Sequence, residues 1–404
     1  MASKDDSANK TIPASNDTSG NVSLIYNPKI RSWFYQAVLL GGVAWFFVYI
    51  WGNLTANMAR QNIRTGFGFL DNIASFDIGF TLVPYDRSST FADALLVGFL
   101  NTMLVSVIGI IIATLLGFTV GIARLSSNWI IARLATIYVE TLRNIPLLLQ
   151  MFFWYFGVLS LLPNVKQSLE LPLYSIFNKR GLVTPAPLFS ANFYLVVIAL
   201  FIAIIAAVFV TKWANRRQDE TGVRPHSGLI NLALLIGLPA IVWIIAGASL
   251  EFRVPVLRGF NYKGGIHIPP EFIAVLWALI LYTATFIAEI VRAGILAVPR
   301  GQTEAAQSLG LKESDLLRKV IIPQAMRVIV PPLTSQYLNL TKNSSLAVAV
   351  GYPDLVSVFM GTTLNQTGQA VEVVAITMII YLSLSLSTSA FMNWFNARIA
   401  LSER

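Results

Sequence analysis

The sequence predicts an all-α, polytopic membrane protein of about eight transmembrane helices. Three observations carry this. Only 12% of the 404 residues are charged and 55% are hydrophobic, whereas a soluble domain carries about 25% charge. Apolar runs near 20 residues recur along the chain, the length needed to cross a bilayer. The mean hydropathy is +0.65, and the formal net charge of +9 falls largely between the runs.

Residues 1–31 are polar and rich in Ser, Asn, Asp and Lys, and read as a disordered tail. The tail is too long for the basic start of a signal peptide, so Trp33–Trp51 reads as a retained first span. Further runs lie at about 94–122, 133–161, 191–211, 229–248, 272–291, 325–350 and 371–397. With the amino end inside, the inner segments hold 18 Lys and Arg and the outer ones 9, which places both termini in the cytoplasm. This explains the positive charge without nucleic acid. Residues 54–92, with "RTGFGFLDNIASFDIGF", read as an ordered outer segment. Residues 163–190 and 249–271 carry seven prolines and read as loops, flanking a peripheral hairpin of two spans at 191–248.

Several chemistries are excluded. There is no cysteine, and His226 and His267 are the only histidines, so thiolate, zinc and histidine catalysis lack residues. No metal site or cofactor is expected on the chain. A G-x-x-x-x-G-K-[ST] loop is missing, so ATP does not bind through one here.

Within the spans, polar residues demand reasons, because a charge in lipid costs about 2.5–3.5 kcal/mol on insertion scales. Glu140 and Arg143 are spaced to share a helix face, as are Glu289 and Arg292. Each pair reads either as a brace around a translocation path or, for Glu289–Arg292, as an interfacial pair at the border of the span. Pro146 interrupts the same run as Arg143 and frees a carbonyl, as in a broken helix lining a cavity, with Gln150 one turn beyond. Gly109, Ala113, Gly117 and Gly121 recur every four residues and make a smooth face for close helix packing. Lys342 stands in an apolar run beside Asn343, Ser344 and Ser345. Its ammonium suits a substrate carboxylate; the alternative is a structural pair with Glu140.

Between two spans lies the polar stretch GQTEAAQSLGLKESDLLRKVIIPQA, residues 301–325. Thr303 is placed to cap a short helix over 304–309, Gly310 to end it left-handed, and Pro323 to end a second helix over 313–319. The apolar face of the second helix is Leu316, Leu317, Val320 and Ile321. A broken polar pair of this size suits a groove on another protein, or else lies along the bilayer surface.

The residues Glu304, Ala305, Ala306, Gly310, Ile321, Ile322 and Pro323 resemble the EAA motif of binding-protein-dependent ABC importers. The flanks "AEIVRAGI" (288–295), "LTKNSSL" (340–346) and "YVETLRNIPLLLQ" (138–150) resemble the polar amino acid permeases of the histidine, glutamine and arginine type. The resemblance covers 92–161 and 271–397 as a five-helix core. The longer layout is similar to a permease subunit of the general L-amino-acid importers of proteobacteria. Lys312 departs from the small capping residue common there.

The resemblance implies a domain order: tail 1–31; extra span and outer segment 32–91; core 92–161; insertion 162–270; core 271–397 with coupling helices 303–319; tail 398–404. It implies an amino acid permease of the bacterial inner membrane that catalyses no reaction itself. ATP and Mg would bind on two partner ATPase subunits. A second homologous permease would complete a heterodimer, a periplasmic binding protein would deliver substrate, and lipid would surround the spans. The substrate path would use Arg143, Gln150, Lys342, Asn343, Ser344 and Ser345. ATPase coupling would use Glu304, Ala305, Ala306, Gly310, Leu316, Leu317 and Pro323. Rival readings are an ion-coupled secondary transporter and an intramembrane enzyme.

Overall fold

A computed structural model describes residues 28–60, 65–223 and 225–399. Of the tail expected over 1–31, residues 1–27 lie outside the described residues and 28–31 are instead the first turn of a helix; of the tail expected over 398–404, residues 398–399 end a helix and 400–404 lie outside the described residues. The chain divides into two units at Thr65/Gly66. The first unit contains one described helix, α1 (Pro28–Arg60), of 33 residues.

The second unit opens with a short 3-10 turn over Phe67–Asp71. Thr90 and Asp93 then form a reciprocal capping box that starts α2 (Phe91–Ala123). Asn128 caps α3 (Trp129–Asn144) by accepting from the Ile130 amide at 3.0 Å. Ile145 and Pro146 break the run, and α4 (Leu147–Phe152) sets off, continuing in wider and tighter turns to Leu161. The two pieces are bent by 105°. After the insertion, α7 (Pro270–Leu296) returns through the core, followed by α8 (Arg300–Ser308), α9 (Glu313–Leu316) and α10 (Ile322–Asn343). A short α11 (Leu364–Thr367) precedes α12 (Ala370–Ile399).

Among the described residues, six helices are long and apolar enough to cross a membrane, and the bent α3–α4 pair makes a seventh when taken as one span. The expected eighth, α10, is 22 residues long but is not among them. Gln324, Arg327, Gln336, Asn339 and Lys342 dilute its apolar character.

The insertion differs from the expected loops. Its described residues form eight short strands around the hairpin α5 (Phe193–Thr221) and α6 (Ser227–Ile245). Strands β1 (Leu169–Leu171), β2 (Ser175–Asn178) and β3 (Gly181–Thr184) pair antiparallel in sequence. Then β8 (Ile266–Ile268) joins β3, with Val183 opposite His267. β4 (Ala186–Phe189) pairs β5 (Leu250–Arg253), and β6 (Val256–Arg258) pairs β7 (Asn261–Lys263). Strands of three or four residues are too short to show a period in sequence. Pro187 is tolerated because β4 lies in a two-stranded sheet.

The main core joins α2, α4, α7 and α10 through Val105, Met151, Leu279, Ile287, Ile329 and Leu340. The small-residue face of α2 explains how tightly α7 approaches. A Cβ on Gly117 would lie 2.6 Å from the Ile287 side chain, and one on Gly121 2.7 Å from the Ala288 carbonyl. Ala113 is fully buried, and a Cβ on Gly109 would meet Leu340 at 3.3 Å. A second cluster of Phe69, Phe91, Leu355, Phe359 and Val373 packs the 66–90 segment onto α2 and α12. That segment is tied down where the Gly66 amide donates to Glu372 Oε1 at 2.7 Å.

The strands abut the start of α7 and α8 follows its end, so the sheets and the α8–α9 pair lie at opposite ends of a helix about 40 Å long.

Candidate substrate path and coupling segment

At the α8–α9 end, the expected charge pairing is only half kept. Arg292 Nη2 lies 2.6 Å from Glu289 Oε1, as the spacing predicts. Glu140 and Arg143 do not pair with each other. Glu140 Oε1 lies 3.7 Å from Arg124 Nη2, and the Arg143 guanidinium sits 5.1 Å from the centre of the Phe286 ring. Arg124 is the residue that the sequence reading missed, since it follows α2 and reads as a loop cation. Its Nη1 lies 2.5 Å from Glu289 Oε2, so Glu289 is gripped by two arginines from different elements. The sequence shows helix faces but not which loop folds back onto them.

At the α3–α4 break, Gln150 is buried, and its Nε2 donates to the carbonyls of Leu142 (2.8 Å) and Ile145 (3.0 Å). The amide thus satisfies two carbonyls left free at the break, that of Leu142 by Pro146 itself, rather than pointing into a cavity as expected. Its Oε1 has no protein partner among the described residues.

Lys342 is exposed in the single chain, where the sequence suggested burial, and it forms no ion pair among the described residues. The structural pairing with Glu140 is therefore absent. Instead, Lys342 lines a cavity of about 450 Å³ with Ser345, Met360, Thr377, Tyr381 and Ser385. Ser344 is buried, and its hydroxyl donates to the Thr341 carbonyl at 2.7 Å. Ser345 donates to the Lys342 carbonyl at 2.7 Å. These local bonds accompany the change to 3-10 winding over Ser344–Val350; Ser345 lines the cavity, while Ser344 is buried. Asn343 is half-buried at the end of α10.

Beyond this lies GYPDL, residues 351–355. Gly351 turns left-handed at φ 80°. Asn101 Nδ2 donates to the carbonyls of Phe80 (2.9 Å) and Pro353 (2.8 Å), and the Leu355 amide donates to Thr102 Oγ1 at 3.0 Å. Asp354 is fully buried; its Oδ1 accepts from the Ser357 amide at 2.9 Å and its Oδ2 from Tyr381 OH at 3.5 Å. Gly98 permits this approach, since a Cβ there would lie 3.0 Å from Leu355 Cα. An acid alone in an apolar run was the available signal.

The α8–α9 segment corrects several expectations. Pro299, not Thr303, occupies the position before α8, and Thr303 lies inside the helix. The bend is as expected: Gly310 has φ 72°, and the Leu311 amide returns to the Ala306 carbonyl at 3.3 Å. Lys312 precedes α9 with no side-chain cap. Pro323 does not stop the second helix. It sits in the first turn of α10, where a missing N–H is harmless, and wide turns over Leu317–Ile321 join α9 to α10. Ala306 and Leu316, expected at the coupling surface, are buried in this chain. Glu304, Ala305 and Gly310 are exposed, Leu317 is half-exposed, and Leu309 is 81% exposed.

A bundle of membrane-spanning helices, with a broken helix, a lone lysine on a cavity wall and a solvent-facing helix pair at one end, defines a transport subunit. Residues 227–401 match the family described as binding-protein-dependent transport system inner membrane component. The chain is 54% identical to the general L-amino acid transport system permease protein AapQ of Rhizobium johnstonii, over 95% of each chain. It is 41% identical to the glutamate/glutamine/aspartate/asparagine transport system permease protein BztB of Rhodobacter capsulatus, over 94% of this chain and 96% of that one. The chain belongs to this family: it is a permease subunit of an amino-acid ABC transporter. The secondary-transporter and intramembrane-enzyme readings fall with that assignment. The relatives are permeases rather than enzymes, and membership implies ATPase and substrate-binding partners and an inner-membrane location.

Proposed function

We propose that this permease serves a broad-specificity L-amino-acid importer and that Lys342 meets the substrate carboxylate on the inner path. The carrying observation is the unpaired Lys342 ammonium on a cavity wall with Ser345, Tyr381 and Ser385. A carboxylate is the group common to all amino acids, and an ammonium recognises it whatever the side chain. The neighbouring hydroxyls and the Asn343 amide add contacts that do not select one side-chain charge. Arg143, stacked on Phe286, stands beside the broken helix of the same path.

A second, homologous permease covers the Lys342 face as a heterodimer. Residues 300–321 and both termini face the cytoplasm, and the sheets face the periplasm, in keeping with the excess of Lys and Arg on the inner segments. The exposed Leu309 and Leu317 beside the Gly310 bend seat in an ATPase groove. ATP and Mg bind on that ATPase, present in two copies, and the periplasmic binding protein delivers substrate to the sheet-bearing end.

The test is reconstitution of the chain with its partner permease, ATPase and binding protein, followed by uptake of one labelled amino acid against unlabelled competitors. Competition by acidic, neutral and basic L-amino acids is expected. Competition by a single charge class overturns broad specificity.

A further inference from the structure

The insertion brings two distant segments together over the start of α7, and a cavity of about 560 Å³ lies beneath them. Small-molecule sites span about 300–1,000 Å³. One side is formed by Glu271, in the first turn of α7, and by Tyr155, whose hydroxyl donates to Glu271 Oε1 at 2.7 Å. The other side is the β2–β3 turn, carrying Lys179 and Arg180.

That turn is held rather than loose. The Arg180 amide donates to Asn178 Oδ1 at 2.8 Å, and buried Asn178 donates from Nδ2 to Ser168 Oγ at 3.0 Å. The Arg180 guanidinium donates to the Phe260 carbonyl at 3.3 Å and to Asn261 Oδ1, across the gap to the β6–β7 hairpin. Gly181 has φ 108°, and a Cβ there would lie 2.1 Å from the Ile268 carbonyl oxygen. Both cations are thus presented by a fixed turn. Among the described residues, neither Lys179, Arg180 nor Glu271 forms an ion pair. A carboxylate on one side and two cations on the other, unneutralised by each other, match a ligand that carries both charges.

We propose that this cavity is an outer binding site for free zwitterionic amino acids, with the α-carboxylate at Lys179 and Arg180 and the α-ammonium at Glu271. The proposal rests on amino-acid transport by the chain and on the sheets facing the periplasm. It is separate from the Lys342 cavity, with which it shares no lining residue. The site would hold substrate at the mouth of the path before the inner cavity opens to it.

The test uses the full-length chain in lipid nanodiscs, with L-glutamine followed by saturation-transfer NMR, which registers millimolar binding. L-Glutamine should bind, and N-acetyl-L-glutamine and L-glutaminamide, each lacking one charge, should bind about tenfold more weakly, the size of one charge-assisted contact. Glu271→Gln and Lys179→Gln should each weaken glutamine about tenfold on the same grounds. Lys179 is exposed, so its variant keeps the test open where Glu271→Gln misfolds. All variants are compared in a Lys342→Ala background, which removes the inner contact from the signal. No saturation transfer in that background, equal binding of the blocked analogues, or a signal kept undiminished in Glu271→Gln overturns the proposal. So does unaltered glutamine binding with weakened docking of the binding protein, which would make this wall a protein-docking surface.

Discussion

Arg124 Nη1 lies 2.5 Å from Glu289 Oε2, joining the end of α2 to α7 about two turns before the end of that helix. Arg292 grips the other oxygen of the same carboxylate at 2.6 Å. The Arg124 side chain is only 10% exposed and that of Glu289 28%, whereas Glu140, 3.7 Å from Arg124, is 60% exposed.

Glu289→Gln should therefore destabilise the chain more than Glu140→Gln. Loss of the Glu289 charge leaves two arginines short of a partner, one of them nearly buried, while an exposed pair contributes about 0–1 kcal/mol. Thermal unfolding of each variant and of the double variant in detergent measures the difference. Equal losses would move the centre of the network from α7 to α3.

Lys342→Ala should lower transport at least tenfold while the complex still assembles, because the side chain faces a cavity and braces no neighbouring charge, and a charge-assisted contact is worth about tenfold or more. Uptake by the purified, reconstituted complex is the measurement, with wild-type rates counting against the proposed contact. Asn343→Asp should shift competition toward cationic substrates.

Gly310→Val should leave the spans inserted and weaken ATPase association. Nothing stands within 4 Å of a Cβ at Gly310, so the cost is the left-handed backbone itself, roughly 1–2 kcal/mol. Gly310→Asn should be milder, since Asn tolerates that conformation. Leu309→Ser, at an exposed site, should weaken association without touching the fold, and Glu304→Lys should act likewise. Co-purified ATPase and its substrate-stimulated turnover report each effect. Normal coupling in all four would return the segment to a surface linker.

Gly117→Leu should abolish the folded protein, and Gly109→Ala should not. The first forces a Cβ to within 2.6 Å of Ile287 on α7, and the second meets only a movable Leu340 methyl at 3.3 Å. Fluorescence-detected gel filtration of membrane extracts separates the two outcomes.

In this cysteine-free chain, Lys263→Cys should react with an impermeant thiol reagent added outside intact cells, and Asp219→Cys should not. Lys263 lies on β7 at the sheet-bearing end, and Asp219 near the end of α5. The reverse labelling would invert the proposed orientation.

Much of this protein was legible in sequence because a bilayer imposes a simple constraint. Each spanning backbone must satisfy itself as a helix, so apolar length alone announces α1, α2, α5, α6, α7 and α12. Local backbone chemistry did the same for the Gly310 bend and for the α3–α4 break at Pro146, and the four-residue spacing from Gly109 to Gly121 marked the face that meets α7. What tertiary structure decided was pairing across distance. Spacing within one helix matched Glu140 with Arg143, but the fold gave Glu140 to Arg124 and set Arg143 on Phe286. Tertiary packing buried Leu316 and left Leu309 exposed, and placed Pro323 at the start of a helix rather than the end of one. The strands of the insertion were invisible because β3 finds β8 across an intervening 81 residues. Helical periodicity is written in neighbouring residues, whereas a salt bridge or a strand partner depends on where the rest of the chain comes to lie.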